Sequence, residues 1–290
     1  MDRMIGVIGG SGVYDIDGLQ DARWQAVETP WGAPSDEILF GRLGDVKMAF
    51  LPRHGRGHVE SPTSINYRAN IDAMKRSGVT DLISVSACGS FREDMAPGDF
   101  VIVDQFIDRT FAREKSFFGA GCVAHVSVAH PTCPVLGSAA LAAAKAAGIT
   151  THSGGTYLAM EGPQFSSLAE SRMYREVWKA DVIGMTNMPE AKLAREAEIC
   201  YASVAMITDY DSWHPDHGEV DVQDIIKTLF GNADKARSLV KDLAGRLGAS
   251  RQSCPSGCDH ALEYAILTAP EARSPDLVAK LDAVAGRVLG

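Results

Sequence analysis

Four short stretches of the chain gather residue types that bind anions or move protons. The first is Val7-Ile8-Gly9-Gly10-Ser11-Gly12, at the end of an apolar run. Glycines let backbone N–H groups approach an anion closely, and a serine hydroxyl adds a donor. The stretch begins like a dinucleotide-binding unit but lacks the G-x-G-x-x-G spacing. An ordinary turn, a phosphate site and a dinucleotide site therefore stay open for it. The second is Arg53-His54-Gly55-Arg56-Gly57-His58. Two guanidinium groups and two imidazoles on glycine-broken backbone concentrate donors for phosphate oxygens, unless the stretch is simply an exposed basic loop. Zinc ligation by His54 and His58 is disfavoured, because the glycines break the helix that i,i+4 ligands would share.

The third is Ser84-Val85-Ser86-Ala87-Cys88-Gly89-Ser90, where small residues run to a glycine. Free N–H groups and hydroxyls at the C-terminal end of a strand suit a ligand, though a tightly packed central strand reads the same way. Cys88 has no partner base beside it and is rejected as a nucleophile. The fourth is Thr208-Asp209-Tyr210-Asp211-Ser212-Trp213, closing an apolar strand. Two carboxyl groups at such a strand end suit metal binding, acid catalysis or recognition of an amino-bearing heterocycle; the plain alternative is a solvated polar turn.

Hydrophobic periodicity supplies the elements that would hold these residues. Strands are expected at Met4–Ile8, Asp81–Ala87 (followed by a tight segment Cys88-Gly89-Ser90), Phe100–Phe106, Thr156–Met160, Asp181–Met185 and Cys200–Thr208. Glu37–Arg42 and Val46–Leu51 read as a hairpin around Leu43-Gly44-Asp45. Helices are expected at Ser64–Lys75, with Tyr67, Ile71 and Met74 inward, and at Ser138–Ala147, Leu168–Trp178, Pro189–Ala197 and Val220–Leu247, the last bent near Gly231. Strands alternating with helices imply a mixed or parallel sheet covered on both faces. Residues 1–248 read as one domain. Residues 249–290, rich in Ser, Pro and Gly before an amphipathic helix near Ser274–Val288, read as an extension packed on that domain or on a neighbouring subunit.

The chain has 290 residues, 46% hydrophobic, with 28 basic and 37 acidic side chains and a formal charge of −9. That balance argues against non-specific nucleic-acid binding, which needs clustered Lys and Arg. No apolar run approaches the ~20 residues of a membrane span. The N-terminal stretch lacks the zones of a signal peptide, so a cytoplasmic location is expected. Cys88, Cys122, Cys133 and Cys200 read as ordinary buried thiols. Cys254 and Cys258 flank Pro255-Ser256-Gly257 and read as two surface cysteines or a local disulfide or redox pair. Two thiols fall short of the four ligands that structural zinc wants.

Further segments stand in a revealing order with these: Asn66-Tyr67-Arg68-Ala69-Asn70, Pro97-Gly98-Asp99, Asp104-Gln105-Phe106-Ile107-Asp108-Arg109-Thr110, Glu161-Gly162-Pro163-Gln164-Phe165-Ser166-Ser167 and Met185-Thr186-Asn187-Met188-Pro189-Glu190. Over roughly residues 4–245 the ordered set resembles the trimeric purine nucleoside phosphorylases, and among them the 5′-methylthioadenosine phosphorylases. The resemblance implies a single α/β domain whose mixed, barrel-like central sheet is flanked by helices, with no NAD, metal or covalent intermediate. It implies phosphorolysis of 5′-methylthioadenosine to adenine and 5-methylthioribose 1-phosphate, in purine and methionine salvage. Inorganic phosphate is then a co-substrate and no cofactor is needed.

By the same resemblance, phosphate is held by Ser11, Arg53, His54, Ser86, Ala87 (through its N–H) and Thr186. Met185 lies against the ribose, with His58 near ribose and phosphate. Phe165 stacks near the purine and Ser166 sits at its edge. Asp209 and Asp211 meet N7 and the 6-amino group. Val222 and Ile225 line the methylthio pocket, and His125 reaches into a neighbour's 5′ pocket, which implies a homotrimer or a dimer of trimers. An apolar pocket favours a methylthio group over a 5′-hydroxyl, whose unpaired burial is costly. Ser11 and Ser86 stand where Thr is common in the family, and both keep the hydroxyl.

Asp209 is expected to protonate or hydrogen-bond N7, with a pKa raised by burial and by Asp211, while Asp211 as a carboxylate accepts from the 6-amino group. The open alternatives are a phosphorylase of 6-oxopurine nucleosides or methylthioinosine, a nucleosidase using water, and a non-catalytic nucleotide- or NAD-binding module.

Overall fold

The computed structural model describes residues 2–10, 12–216 and 222–290. Strand β1 (Met4–Gly9) buries Ile5, Val7 and Ile8, so it carries no polar alternation. It runs between two parallel neighbours, β4 (Val46–Pro52) and β5 (Asp81–Ser90). β3 (Ile38–Leu43) completes the expected hairpin with β4, turning at Gly44, whose φ is +58°. An edge strand, β2 (Gln20–Gln25), joins β3; almost wholly exposed, it has no apolar pattern to announce it.

β5 is the hub. Its first residues pair with β1, and Gly89 and Ser90 pair with β10 (Val182–Gly184). Its other edge pairs with β11 (Cys200–Asp209). Cys88-Gly89-Ser90 is therefore not a tight segment after the strand but its last part, held extended because β10 and β11 take up its backbone groups.

β11 also pairs with β6 (Phe100–Val103), while β10 pairs with β9 (Thr156–Ala159) and β9 with β7 (Gln105–Asp108). Only Asp104 separates β6 from β7. The strand expected at Phe100–Phe106 is thus two strands serving opposite sides, and β5–β11–β6/β7–β9–β10 closes a ring, the barrel-like part of a mixed sheet. β8 (Thr151–Ser153) extends the sheet from β6.

Helix α1 (Tyr67–Arg76) starts where Asn66 accepts from the Ala69 N–H, and Tyr67, Ile71 and Met74 are buried as their spacing requires. α2 (Pro134–Ala146) begins earlier than the alanine run suggests, because Pro134 supplies a first turn of fixed φ. α3 (Leu168–Arg172) opens with a Ser167–Glu170 capping box and continues as a π turn, Met173–Val177. α4 (Asn187–Glu196) follows β10 directly. α5 (Val222–Leu247) runs unbroken past Gly231 and packs on α2 and β11. Val220 lies outside the described residues.

Residues after Leu247 join both main cores. Leu262, Leu281, Val284 and Ala285 pack in the core that holds α1 and α4. Cys254 and Cys258 lie in the core beneath α2 and α5, so neither is a surface cysteine, and all six thiols are free. The tail carries two helices, α6 (Pro275–Lys280) and α7 (Asp282–Leu289), where one was expected. Among the described residues no helix is long and apolar enough to cross a membrane.

Candidate active site

Parallel strands β1, β4, β5 and β11 end on one side of the sheet, where a cavity of about 540 Å³ opens between them and α5. Its wall holds Gly10 after β1, Arg53, His54 and His58 after β4, and Ser86 to Gly89 from β5. Met185 and Thr186 follow β10, and Asp209 and Asp211 close β11. Beyond the last ladder pairs of β1 and β4 the backbone is free to turn toward a ligand, while β5 continues along the wall still paired to β11.

Arg53 is almost fully buried. Its Nε and Nη2 meet both carboxylate oxygens of Glu190 at 3.0 and 3.2 Å. Nη1 donates to Val85 O, and Nη2 also reaches Ile8 O and Ser84 Oγ. A guanidinium has five N–H donors. Among the described residues the expected open fork is thereby reduced to one uncommitted N–H on Nη1, and its charge is matched by Glu190. Arg56 does not join the donor set: its fork is held by Asp36 and Glu37, and it lies 4.3 Å over the Trp24 ring, outside the cavity.

His54 and His58 stack with ring centroids 4.3 Å apart. His54 Nδ1 is 2.8 Å from Glu60 O, and since a carbonyl only accepts, Nδ1 carries the hydrogen. Burial, with help from Arg53 and His58, lowers the His54 pKa to about 4. The ring is therefore neutral near pH 7, with Nε2 as an acceptor. His58 holds a left-handed φ of +56°.

Ser86 donates to Asn187 Oδ1 at 2.9 Å, and Asn187 Nδ2 donates to Tyr201 Oη and Ser203 Oγ. Thr186 is the N-cap of α4 but makes no capping bond with its side chain. Among the described residues its hydroxyl makes no other hydrogen bond, and Thr186 lines the cavity. Ala87 also lies on the wall. Met185 is fixed through its carbonyl by Arg113, a buried guanidinium that also binds Glu161, Tyr67 Oη and Met188 O.

At the β11 end, Asp209 Oδ2 accepts from Thr208 Oγ1 at 2.7 Å and Oδ1 from the Asp211 N–H at 2.8 Å. Burial raises the pKa of Asp209. Burial also raises that of Asp211, and there the charge of Asp209 adds to it. The expected like-charge contribution thus falls on Asp211, and burial is what raises Asp209. Asp211 Oδ2 is buried without a hydrogen-bond partner among the described residues. The pair fits only because residue 89 is glycine: a Cβ there would stand 2.8 Å from Asp209 Oδ1 and 3.2 Å from Asp211 Cβ. Cys88 sits close by, its thiol pushed well up by burial and by Asp209, which keeps it protonated.

Phe165 stands 42% exposed on the cavity wall. Ser166 lies behind the wall, its carbonyl accepting from Ser212 Oγ. Ile225 lines the cavity together with Ile226, Leu229 and Val13, none of which the sequence reading had singled out. Ser11 and the side chain of Val222 lie outside the described residues. His125 is not on the cavity wall; it is exposed, its N–H bonded to Ala265 O. The sequence reading also missed Asn187, Glu190 and Arg113 as positioning groups. A Glu inside the apolar pattern of α4 was the available signal for a buried ion pair. Arg113 carried none.

One cavity with anion donors at one end and a carboxyl pair at the other, at the open ends of a mixed α/β sheet, is the layout of a phosphorylase. The chain belongs to the phosphorylase superfamily, whose profile matches residues 4–244. It is 74% identical over 289 residues to the S-methyl-5′-thioadenosine phosphorylase of Cereibacter sphaeroides, covering 100% of this chain and 99% of the relative. It is similar in structure to a methylthioadenosine phosphorylase from an Antarctic soil metagenomic library (TM-score 0.92, 45% identity, 97% of this chain and 98% of the other). A mutant adenosine/methylthioadenosine phosphorylase of Schistosoma mansoni in complex with adenine is similar too (TM-score 0.86, 32% identity, 91% and 99%).

Proposed function

We propose that the chain cleaves 5′-methylthioadenosine with inorganic phosphate, giving adenine and 5-methylthioribose 1-phosphate. The observation that carries this is the pair Asp209 and Asp211, with one buried oxygen unpartnered among the described residues, on the same cavity as Arg53, Ala87 and Thr186. Cleavage of the glycosidic bond builds positive charge on the ribose and negative charge on the purine. The chemistry needs an anion near C1′ and a proton near N7.

Phosphate supplies the anion and is the nucleophile. The Nη1–H of Arg53, the hydroxyl of Thr186 and the N–H of Ala87 orient it, with Ser11 completing the set; Ser86, whose one O–H goes to Asn187 Oδ1, offers its Oγ as an acceptor for the hydroxyl of hydrogen phosphate. Because Glu190 already matches Arg53, hydrogen bonds bind this anion more than net charge does. Neutral His54 accepts at Nε2 from the hydroxyl of hydrogen phosphate or of the ribose. At the other end Asp209, its pKa raised by burial, gives its proton to N7, and Asp211 pairs with the 6-amino group. Phe165 covers the base, Ser166 supports its edge and Met185 lies against the ribose, with His58 beside it. Ile225 receives the methylthio group. No cofactor enters these steps.

His125 completes the 5′ end from a neighbouring copy, so the working unit is a homotrimer or a dimer of trimers. Exposed Phe111, Phe230 and Tyr264 are surface of the kind a neighbour covers. A cytosolic location fits six free thiols, which a reducing compartment preserves.

The test is release of adenine from 5′-methylthioadenosine with and without phosphate, followed by a panel of adenosine, inosine and methylthioinosine. Turnover is expected only with phosphate and fastest on 5′-methylthioadenosine. Equal release without phosphate would make the protein a nucleosidase, and faster turnover of inosine or methylthioinosine would make it a 6-oxopurine enzyme.

A further inference from the structure

Away from the active site, the fold brings together four cysteines that the sequence scatters. Cys133 is the N-cap of α2, Cys200 opens β11, and Cys254 and Cys258 come from the tail. All four are buried, none more than 8% exposed. Their sulfurs all lie within 4.8 Å of one another, and all four thiols are free. We propose that these four cysteines form a tetrahedral structural zinc site that fastens the C-terminal extension to the domain.

The donor set and geometry favour this over four unconnected thiols. Zinc–sulfur bonds of ~2.3 Å in a tetrahedron put the sulfurs about 3.8 Å apart. The Cys133 and Cys254 sulfurs are 3.7 Å apart, a match for two ligands on one ion and far beyond a disulfide bond of ~2.05 Å. An all-sulfur tetrahedral set selects zinc or iron over the harder cations. Cys254-Pro-Ser-Gly-Cys258 has the short spacing of a zinc knuckle, with Gly257 at φ +68° donating its N–H to Cys254 O. Two features support the thiolate charge. Cys133 faces the open N–H end of a 13-residue helix, and Arg251 Nη2 lies 3.0 Å from Cys200 Sγ.

Binding would exchange four S–H bonds for four Zn–S bonds, with the protons passing to solvent and no electron moving. The ion would join three segments distant in sequence at the root of the extension. Further along, that extension holds the segment carrying His125: His125 N–H donates to Ala265 O and Leu267 N–H to Val123 O. Zinc here is a staple with no place in the chemistry of the cavity.

The test uses the full-length protein purified under reducing conditions and freed of loosely held metal. Elemental analysis is expected to find one zinc per chain in the wild type and in C122S, whose cysteine lies outside the cluster, and background zinc in the C254S/C258S double variant. Because that variant can fail to fold, wild-type protein is also stripped and titrated with Co²⁺. An intense visible spectrum with sulfur-to-cobalt charge-transfer bands, saturating at one Co²⁺ per chain, supports the site. Weak octahedral bands, iron in place of zinc, or metal-free protein whose mass shows two disulfides among these cysteines would each overturn it.

Discussion

Replacing Asp209 by Asn separates catalysis from folding at a single atom. Asp209 accepts from the Asp211 N–H at 2.8 Å and from the Thr208 hydroxyl at 2.7 Å. Asn keeps the first bond through Oδ1. Its Nδ2 donates to Thr208 Oγ1 while the Thr208 hydroxyl turns to Cys88 O, already 3.2 Å away. The fold therefore loses no hydrogen bond. It also sheds an electrostatic cost. A carboxyl whose folded pKa lies above its unfolded value stabilises fully below the unfolded pKa, and that contribution is lost as pH rises through the folded pKa. At neutral pH, Asp209 works against folding, so D209N should melt at or slightly above the wild-type temperature. Catalysis should suffer, since an amide cannot protonate N7. Losing a positioned general acid costs roughly 10²–10⁴ in rate, or about 3–5 kcal/mol of barrier. The assay is kcat for adenine release at saturating phosphate and 5′-methylthioadenosine, from pH 5 to 9, beside a melting curve at each pH. The wild-type rate should fall at high pH as Asp209 loses its proton, and D209N should lack that limb. A variant kcat within a factor of about three of wild type would refute the acid role. So would a rate loss accompanied by a large drop in melting temperature, since the fold would then be the cause.

Three other perturbations follow from the same geometry. E190Q leaves the buried Arg53 cation unmatched and should cost about 3–5 kcal/mol in urea unfolding, part of it restored by millimolar phosphate, which supplies the missing charge. G89A puts a Cβ 2.8 Å from Asp209 Oδ1; it should lower kcat while costing only about 1–3 kcal/mol of stability, measured by parallel kinetics and denaturation. Burial raises the Glu196 pKa to about 7 against Phe117 N–H and Ser116 Oγ, so its contribution is present at pH 4 and lost as pH rises through 7. E196Q should accordingly gain up to about 3 kcal/mol at pH 8 and nothing at pH 4, read from melting curves at both.

Much of the architecture was legible because it is local. The buried runs at β1 and β11 and the i, i+4, i+7 triplet of α1 each record a face in their own residues. β2 was not legible, because an exposed edge strand has no apolar alternation. The break at Asp104 was hidden for a different reason: β6 and β7 read as one run, and only their pairing with β11 and β9 divides them.

For the site, the sequence by itself determined the kinds of chemistry available: glycine turns, a basic cluster and two carboxyl groups two residues apart, in an order that marks the superfamily. The tertiary structure decided how each group is used. It spends most of Arg53 on Glu190, turns Arg56 away to Asp36, and keeps His54 neutral. It raises both carboxyl groups, and it brings Cys133 and Cys200 to Cys254 and Cys258. The physical reason is common to all of these. Residue type sets what a group can donate, accept or ligate, but charge state and reach depend on burial and on neighbours far along the chain, which exist only once the sheet has closed.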